Sequence, residues 1–85
     1  MTSSADLFIL RFLAARAHAS APEIGISCRM TAAEVRARLV MLESQRFVAG
    51  RRDPDASPTA PRRVFVITGE GRRKAGISDA RGRTA

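Results

Sequence analysis

Two helix-start signals stand eleven residues apart in this chain, and the interval between them has room only for a short helix and a tight turn. The first is Ser20-Ala21-Pro22-Glu23. Its hydroxyl can accept from the backbone N–H three residues on, its proline is tolerated in the first turn, and its glutamate can reach back to the cap. The second, Thr31-Ala32-Ala33-Glu34, repeats the S/T-x-x-E logic. At about 3.6 residues per turn, Ile24–Met30 holds roughly two turns and the link. Two such helices cannot bury themselves alone and need a third. The apolar segment Leu7–Ala19, started by Ser3-Ser4-Ala5-Asp6, supplies it.

Eighty-five residues make one small domain, with no room for a second core. Tryptophan and tyrosine are absent, so the interior must be aliphatic with Phe8, Phe12, Phe47 and Phe65. Cys28 is the only cysteine. That excludes an intrachain disulfide and leaves His18 as its one soft metal partner, so neither a metal site nor a cofactor is expected. The N-terminus lacks a basic leader, and the apolar run Leu7–Leu13 is broken by Arg11, far short of the roughly 20 residues of a membrane span. A cytoplasmic protein without membrane attachment is expected. No Ser/His/Asp set, paired carboxylates or phosphate loop occurs, so no enzyme is expected either.

The net charge of +7 is unevenly placed. Residues 1–43 carry +1, whereas residues 44–85 carry +6, with Arg46, Arg51, Arg52, Arg62, Arg63, Arg72, Arg73, Lys74, Arg81 and Arg83 in that half. The third helix, Ala32 to about Gln45, turns Val35, Leu39 and Leu42 to the core. Its opposite face is Ala33, Ala37, Val40 and Ser44, flanked by Arg36 on one side and by Arg38 and Met41 on the other. After it the period changes. Phe47–Arg52 and Arg62–Thr68 read as the strands of a hairpin around Asp53–Pro61, whose prolines cannot continue a ladder, so the tip should protrude and move. Arg51, Arg52, Arg62 and Arg63 then face one another, which costs stability unless an anion lies beside them. A last short helix starts at Thr68 and ends at Gly76, and residues 77–85 read as a basic disordered tail.

On the first helix, Leu7, Leu10, Leu13, Ala14 and Ala17 form one stripe, and Phe8 with Phe12 form another, set apart by Arg11 and Ala15 on one side and Ile9 and Arg16 on the other. The second stripe is the candidate homodimer contact. Cys28 reads as a buried structural residue, and His18 as a complement to the dipole at the helix C-terminus.

The order helix, helix, turn, helix, two-stranded wing resembles a winged helix-turn-helix domain over residues 5–76. Pro22-Glu23-Ile24 opens the second helix, Leu42-Glu43 closes the third and Phe47-Val48 begins the wing. Val66-Ile67-Thr68-Gly69-Glu70-Gly71-Arg72 is similar to the L-T-x-x-G-R phrase of MarR-type and PadR-type bacterial transcriptional regulators. The resemblance implies an α+β, mostly α fold: three helices, a two-stranded β-wing and a short C-terminal helix, with residues 1–76 as the domain. Arg29 and Arg46 stand where such domains usually carry glycine, and arginine tolerates positive φ poorly. The long additional helices through which those families dimerise and bind effectors have no counterpart here, so no small-molecule effector is expected.

The function so implied is sequence-specific binding of double-stranded DNA by a small bacterial or phage regulator. Arg36 and Arg38 would contact bases or phosphate from the third helix, Ala33 and Ala37 would let its backbone approach, and Val40 would meet a thymine methyl. Thr31 caps that helix first and contacts DNA second. The wing arginines Arg51, Arg52, Arg62 and Arg63 would take phosphate or the minor groove, with Arg72 and Arg73 as auxiliary contacts. A winged-helix module for protein assembly, or one binding structured RNA through the same wing, are the competing readings.

Overall fold

A computed structural model describes residues 3–77. Arg81, Arg83 and nearly all of the expected tail lie outside the described residues. The elements run α1 Ser4–Ala14, α2 Ala21–Cys28, α3 Ala32–Ser44, β1 Val48–Arg52, β2 Arg63–Ile67 and α4 Gly69–Lys74. Each helix begins where a hydroxyl can cap it. Ser3 Oγ accepts from Asp6 N, and Thr68 Oγ1 accepts from Gly71 N. Both sequence-derived capping boxes close: Glu23 and Glu34 accept the N–H of Ser20 and Thr31, whose hydroxyls accept from the N–H of Glu23 and Glu34.

The core lies where α1, α2 and α3 meet the inner face of the ribbon. Ile9, Leu10 and Leu13 of α1, Ile24 of α2, Val35, Leu39 and Leu42 of α3, and Val48 and Phe65 of the strands are buried together. Fully burying each of the larger aliphatics contributes about 1.5–3 kcal/mol. The α3 core face is as the spacing predicts, but two features of α1 differ. Ile9, assigned to the border between stripes, is fully buried, because α2, β2 and α4 all pack on this helix and widen its covered arc. The helix also stops at Ala14 instead of Ala19. Ala19 is drawn into backbone pairing with Phe65, its N–H donating at 3.1 Å and its carbonyl accepting at 2.8 Å, and this bridge demands an extended chain. Ala17 therefore leaves the core face and is exposed.

The ribbon is antiparallel, in register from Val48 opposite Ile67 to Arg52 opposite Arg63. Arg29 (φ 57°) and Arg46 (φ 66°) do adopt the left-handed conformation. Beyond each, the next N–H reaches back five residues, Met30 N to Gly25 O and Phe47 N to Leu42 O, both at 2.9 Å. These are glycine-type helix stops made with arginine, at a cost of about 1–3 kcal/mol each. Gly71 is fixed by close approach instead: a Cβ there would stand 2.1 Å from the Phe47 carbonyl oxygen. That contact seats α4 against the start of β1.

Candidate nucleic-acid interface

Capping by Thr31 and Glu34 holds the first turn of α3 at the surface, and the burial of Val35, Leu39 and Leu42 turns the opposite side outward. Ala33, Arg36, Ala37 and Val40 are all exposed along it, Val40 to 66%. Arg36 makes no ion pair or side-chain hydrogen bond among the described residues. It stands at the rim of a cleft of about 450 Å³ between α3, the start of α2 and β2, whose apolar floor includes Pro22, Leu39, Val40 and Phe65. Arg38 points to the other flank. Its Nη1 donates to Ser3 Oγ at 3.1 Å and to Asp6 Oδ1 at 3.4 Å, tying α3 to the start of α1.

The far wall of the cleft is the loop end of the ribbon. Of the four expected arginines, Arg62 and Arg63 line the cleft, Arg52 lies opposite Arg63, and Arg51 lies opposite Val64; two of the four already hold a carboxylate. Arg62 donates through Nε and Nη2 to Asp53 Oδ2, and Arg63 Nη2 donates to Glu43 Oε2 at 2.9 Å. The anion that the clustered charge requires is thus supplied from within the chain. Asp53 is buried to 3% exposure, and its Oδ1 accepts from the Asp55 N–H at 2.9 Å. That N–H first, and Arg62 second, hold its carboxyl below the usual range, and the hydrogen bond to Asp53 raises the Arg62 guanidinium in turn. The foot of the loop is therefore pinned. Glu43 also accepts from Gly50 N, and Arg63 lies so closely over Gly50 that a Cβ there would meet its guanidinium, which sits 5.3 Å from the Phe65 ring centroid. Glu43 and Asp53 escaped the sequence reading, since both look like solvated acids until the ribbon register is known.

Arg51 and Arg52 are exposed and unpaired among the described residues. Arg72 and Arg73 sit on α4, which follows the Val48–Ile67 end of the ribbon, about 13 Å of strand from the arginine end at about 3.3 Å per residue. The structure does not bring them to the cleft. On α1, Phe8 is 58% exposed, whereas Phe12 leaves the expected separate stripe: it is half-buried, packed against the core and beneath the guanidinium of Arg16, 5.1 Å from its centroid. Arg16 is itself held by Glu23 at 3.5 Å. Cys28 is half-buried, and burial pushes its thiol up, away from the reactive thiolate.

No family model matches the sequence, and no curated protein is significantly similar to it. Solved structures do match. A PadR family transcription regulator from hypervirulent Clostridium difficile superposes with a TM-score of 0.76 at 18% identity, over 87% of this chain and 81% of that one. The PcaV transcriptional regulator from Streptomyces coelicolor, in complex with its natural ligand, matches with a TM-score of 0.79 at 20% identity, over 88% of this chain and 51% of its own. A mutant of Lactococcus lactis ZitR in complex with DNA matches with a TM-score of 0.75 at 18% identity, over 89% of this chain and 49% of its own. At these identities the likeness is one of fold: a winged helix of the MarR and PadR kind. The chain spans about half the length of PcaV and of ZitR.

Proposed function

We propose that this chain binds double-stranded DNA as a transcriptional regulator, reading sequence with α3 in the major groove and following the backbone or minor groove with the ribbon. The observation that carries this reading is the outward face of α3. A helix of small, uncharged, exposed side chains beside an unpaired Arg36 is shaped to approach base edges, and Arg51 and Arg52 stand unpaired on the adjoining wing. Several of the solved neighbours are described as transcription regulators, and one of them holds DNA. Arg36 leads the base contacts. Arg38 takes phosphate by giving up Asp6 and Ser3, Thr31 contributes at the helix tip, and Arg62, Arg63, Arg72 and Arg73 supply further phosphate contacts.

The test is a fluorescence-anisotropy titration on duplex DNA with salt varied. With about five phosphates neutralised, log K against log salt falls with a slope of about −4 to −5. Absence of binding at low salt refutes the reading.

A domain this small reads few base pairs, so two copies on adjacent half-sites complete the site. The pairing surface is α1, where exposed Phe8 adjoins Phe12 under its arginine cover. Sedimentation at tens of micromolar should show a dimer, and Phe12→Glu a folded monomer. A wild-type monomer, or a Phe12→Glu chain that unfolds, refutes this pairing: Phe12 then belongs to the core it packs against, and specificity comes from a partner or from cooperative binding on DNA.

A further inference from the structure

The segment that leaves α1 early, drawn in by the Ala19–Phe65 bridge, carries His18 to the foot of the β1–β2 loop. There one ring nitrogen of His18 and one carboxylate oxygen each from Asp53 and Asp55 lie within 4.8 Å of one another. The group combines two distant parts of the sequence and is not a patch of surface acids: Asp53 is almost wholly buried. His18 Nδ1 is itself buried and lacks any hydrogen-bond partner among the described residues. A buried imidazole nitrogen without a partner is costly, and a ligand that bonds it stabilises the folded chain.

We propose that His18, Asp53 and Asp55 bind a divalent first-row transition ion of the Co²⁺ or Zn²⁺ type, and that the ion fastens the wing loop to the body of the domain. One imidazole with two carboxylates is the donor set of a borderline cation: the nitrogen disfavours Mg²⁺ and Ca²⁺, and the oxygens disfavour Cu⁺. Three protein ligands leave a fourth position for water. With bonds of about 2.0–2.2 Å, tetrahedral donors stand about 3.4 Å apart, so the group must contract by at most about 1.5 Å. Asp55, exposed on the loop, is free to make that movement. Asp53 keeps a lone pair for the ion: Oδ2 serves Arg62, while Oδ1 accepts only the Asp55 N–H.

Arg62 weakens the site, but it also gives the site a consequence. With the imidazole neutral, Asp53, Asp55 and Arg62 sum to −1, and a divalent ion turns that sum to +1 beside Arg51, Arg52 and Arg63. Metal therefore raises the affinity of the wing for a polyanion, a step that rests on the DNA reading above.

Untagged, chelator-treated full-length chain is titrated with CoCl₂ and followed by visible absorption and calorimetry, with no DNA present. The expected result is one ion per chain, with d–d bands of low-coordinate Co²⁺ that ZnCl₂ displaces and MgCl₂ does not. His18→Gln and Asp55→Asn should each abolish the bands, and Cys28→Ser should keep them. Should His18→Gln misfold, Asp55→Asn, an exposed loop position, decides alone. Absent bands, or bands that survive Asp55→Asn, overturn the site. In a separate anisotropy titration at low salt, ZnCl₂ should tighten duplex DNA by about tenfold, an effect that shrinks as salt rises. Metal binding with unchanged DNA affinity overturns the coupling and leaves the site standing, whereas failure of all DNA binding in both states counts against the function proposed above.

Discussion

The outward face of α3 and the loop end of the β-ribbon border one cleft, but they are built in opposite ways. On α3 everything is local. A capping box sets the start, three core residues fix the rotation, and Ala33, Ala37 and Val40 are left exposed with no internal partner. On the ribbon nothing is local: Arg62 is held by Asp53 across the loop, and Arg63 by Glu43 from α3, twenty residues away. The difference teaches that formal charge overstates what the wing offers a phosphate. Of its four arginines, Arg51 and Arg52 are available outright, while Arg62 and Arg63 must first give up a carboxylate.

The largest effect should separate those two pairs. Arg51→Ala with Arg52→Ala should reduce the steepness of the salt dependence by about 2 and weaken every duplex alike. Arg62→Ala with Arg63→Ala should reduce it less and lower the melting temperature more. Arg36→Ala, by contrast, should cost about 1–3 kcal/mol on a preferred sequence and little on random DNA. Equal effects of all three on every sequence would erase the distinction between a reading helix and a neutralising wing.

How much of this was legible follows the same division. The caps at Ser20 and Thr31, the core face of α3, the ribbon and the stop at Gly76 depend on residues within a few positions of one another, and the sequence predicts them. Arg29 and Arg46 were marked as glycine positions only by the resemblance to winged helices, and the structure shows arginine adopting the left-handed backbone there. Ile9, the early end of α1, and the Asp53 and Glu43 pairings were not readable. Each depends on which element packs opposite, and that is decided by tertiary contacts: the bridge of Ala19 to Phe65 for α1, and the ribbon register for the acids. His18 shows the limit most clearly, since nothing near it in sequence hints at two aspartates from the loop.

A middle-sized effect tests the internal anions directly. Glu43→Gln frees Arg63 from a half-exposed pair worth about 0–1 kcal/mol and should barely alter the melting temperature. Asp53→Asn should lower it further, because a buried carboxylate that pins both Arg62 and the Asp55 N–H is lost. Both should tighten random duplex DNA at low salt, each removing one negative charge and releasing one guanidinium. Loss of affinity in either variant would mean that the carboxylates position the arginines for phosphate instead of competing with it.

The smallest effect is the response to acid, which sets the caps against the wing. Backbone and hydroxyl hydrogen bonds from Ser20 hold Glu23 below its ordinary 4.5, and those from Thr31 do the same for Glu34. The Asp55 N–H and Arg62 hold Asp53 below its ordinary 3.8. A carboxyl lowered in the folded state stabilises fully above its unfolded value, and that contribution drains away as pH falls through the folded value. Melting temperature should thus be flat above about pH 5 and decline below it, the glutamate contribution starting to drain below the ordinary 4.5 and that of Asp53 below the ordinary 3.8. Thr31→Ala removes the α3 cap, at a cost of about 0.5–2 kcal/mol, and should flatten the earlier part of that decline while leaving the Asp53 part intact. Asp53→Asn should do the reverse. If both variants flatten the curve over the same range, the caps and the wing foot unfold as one unit, and the independence of helix and ribbon on which the comparison rests is lost.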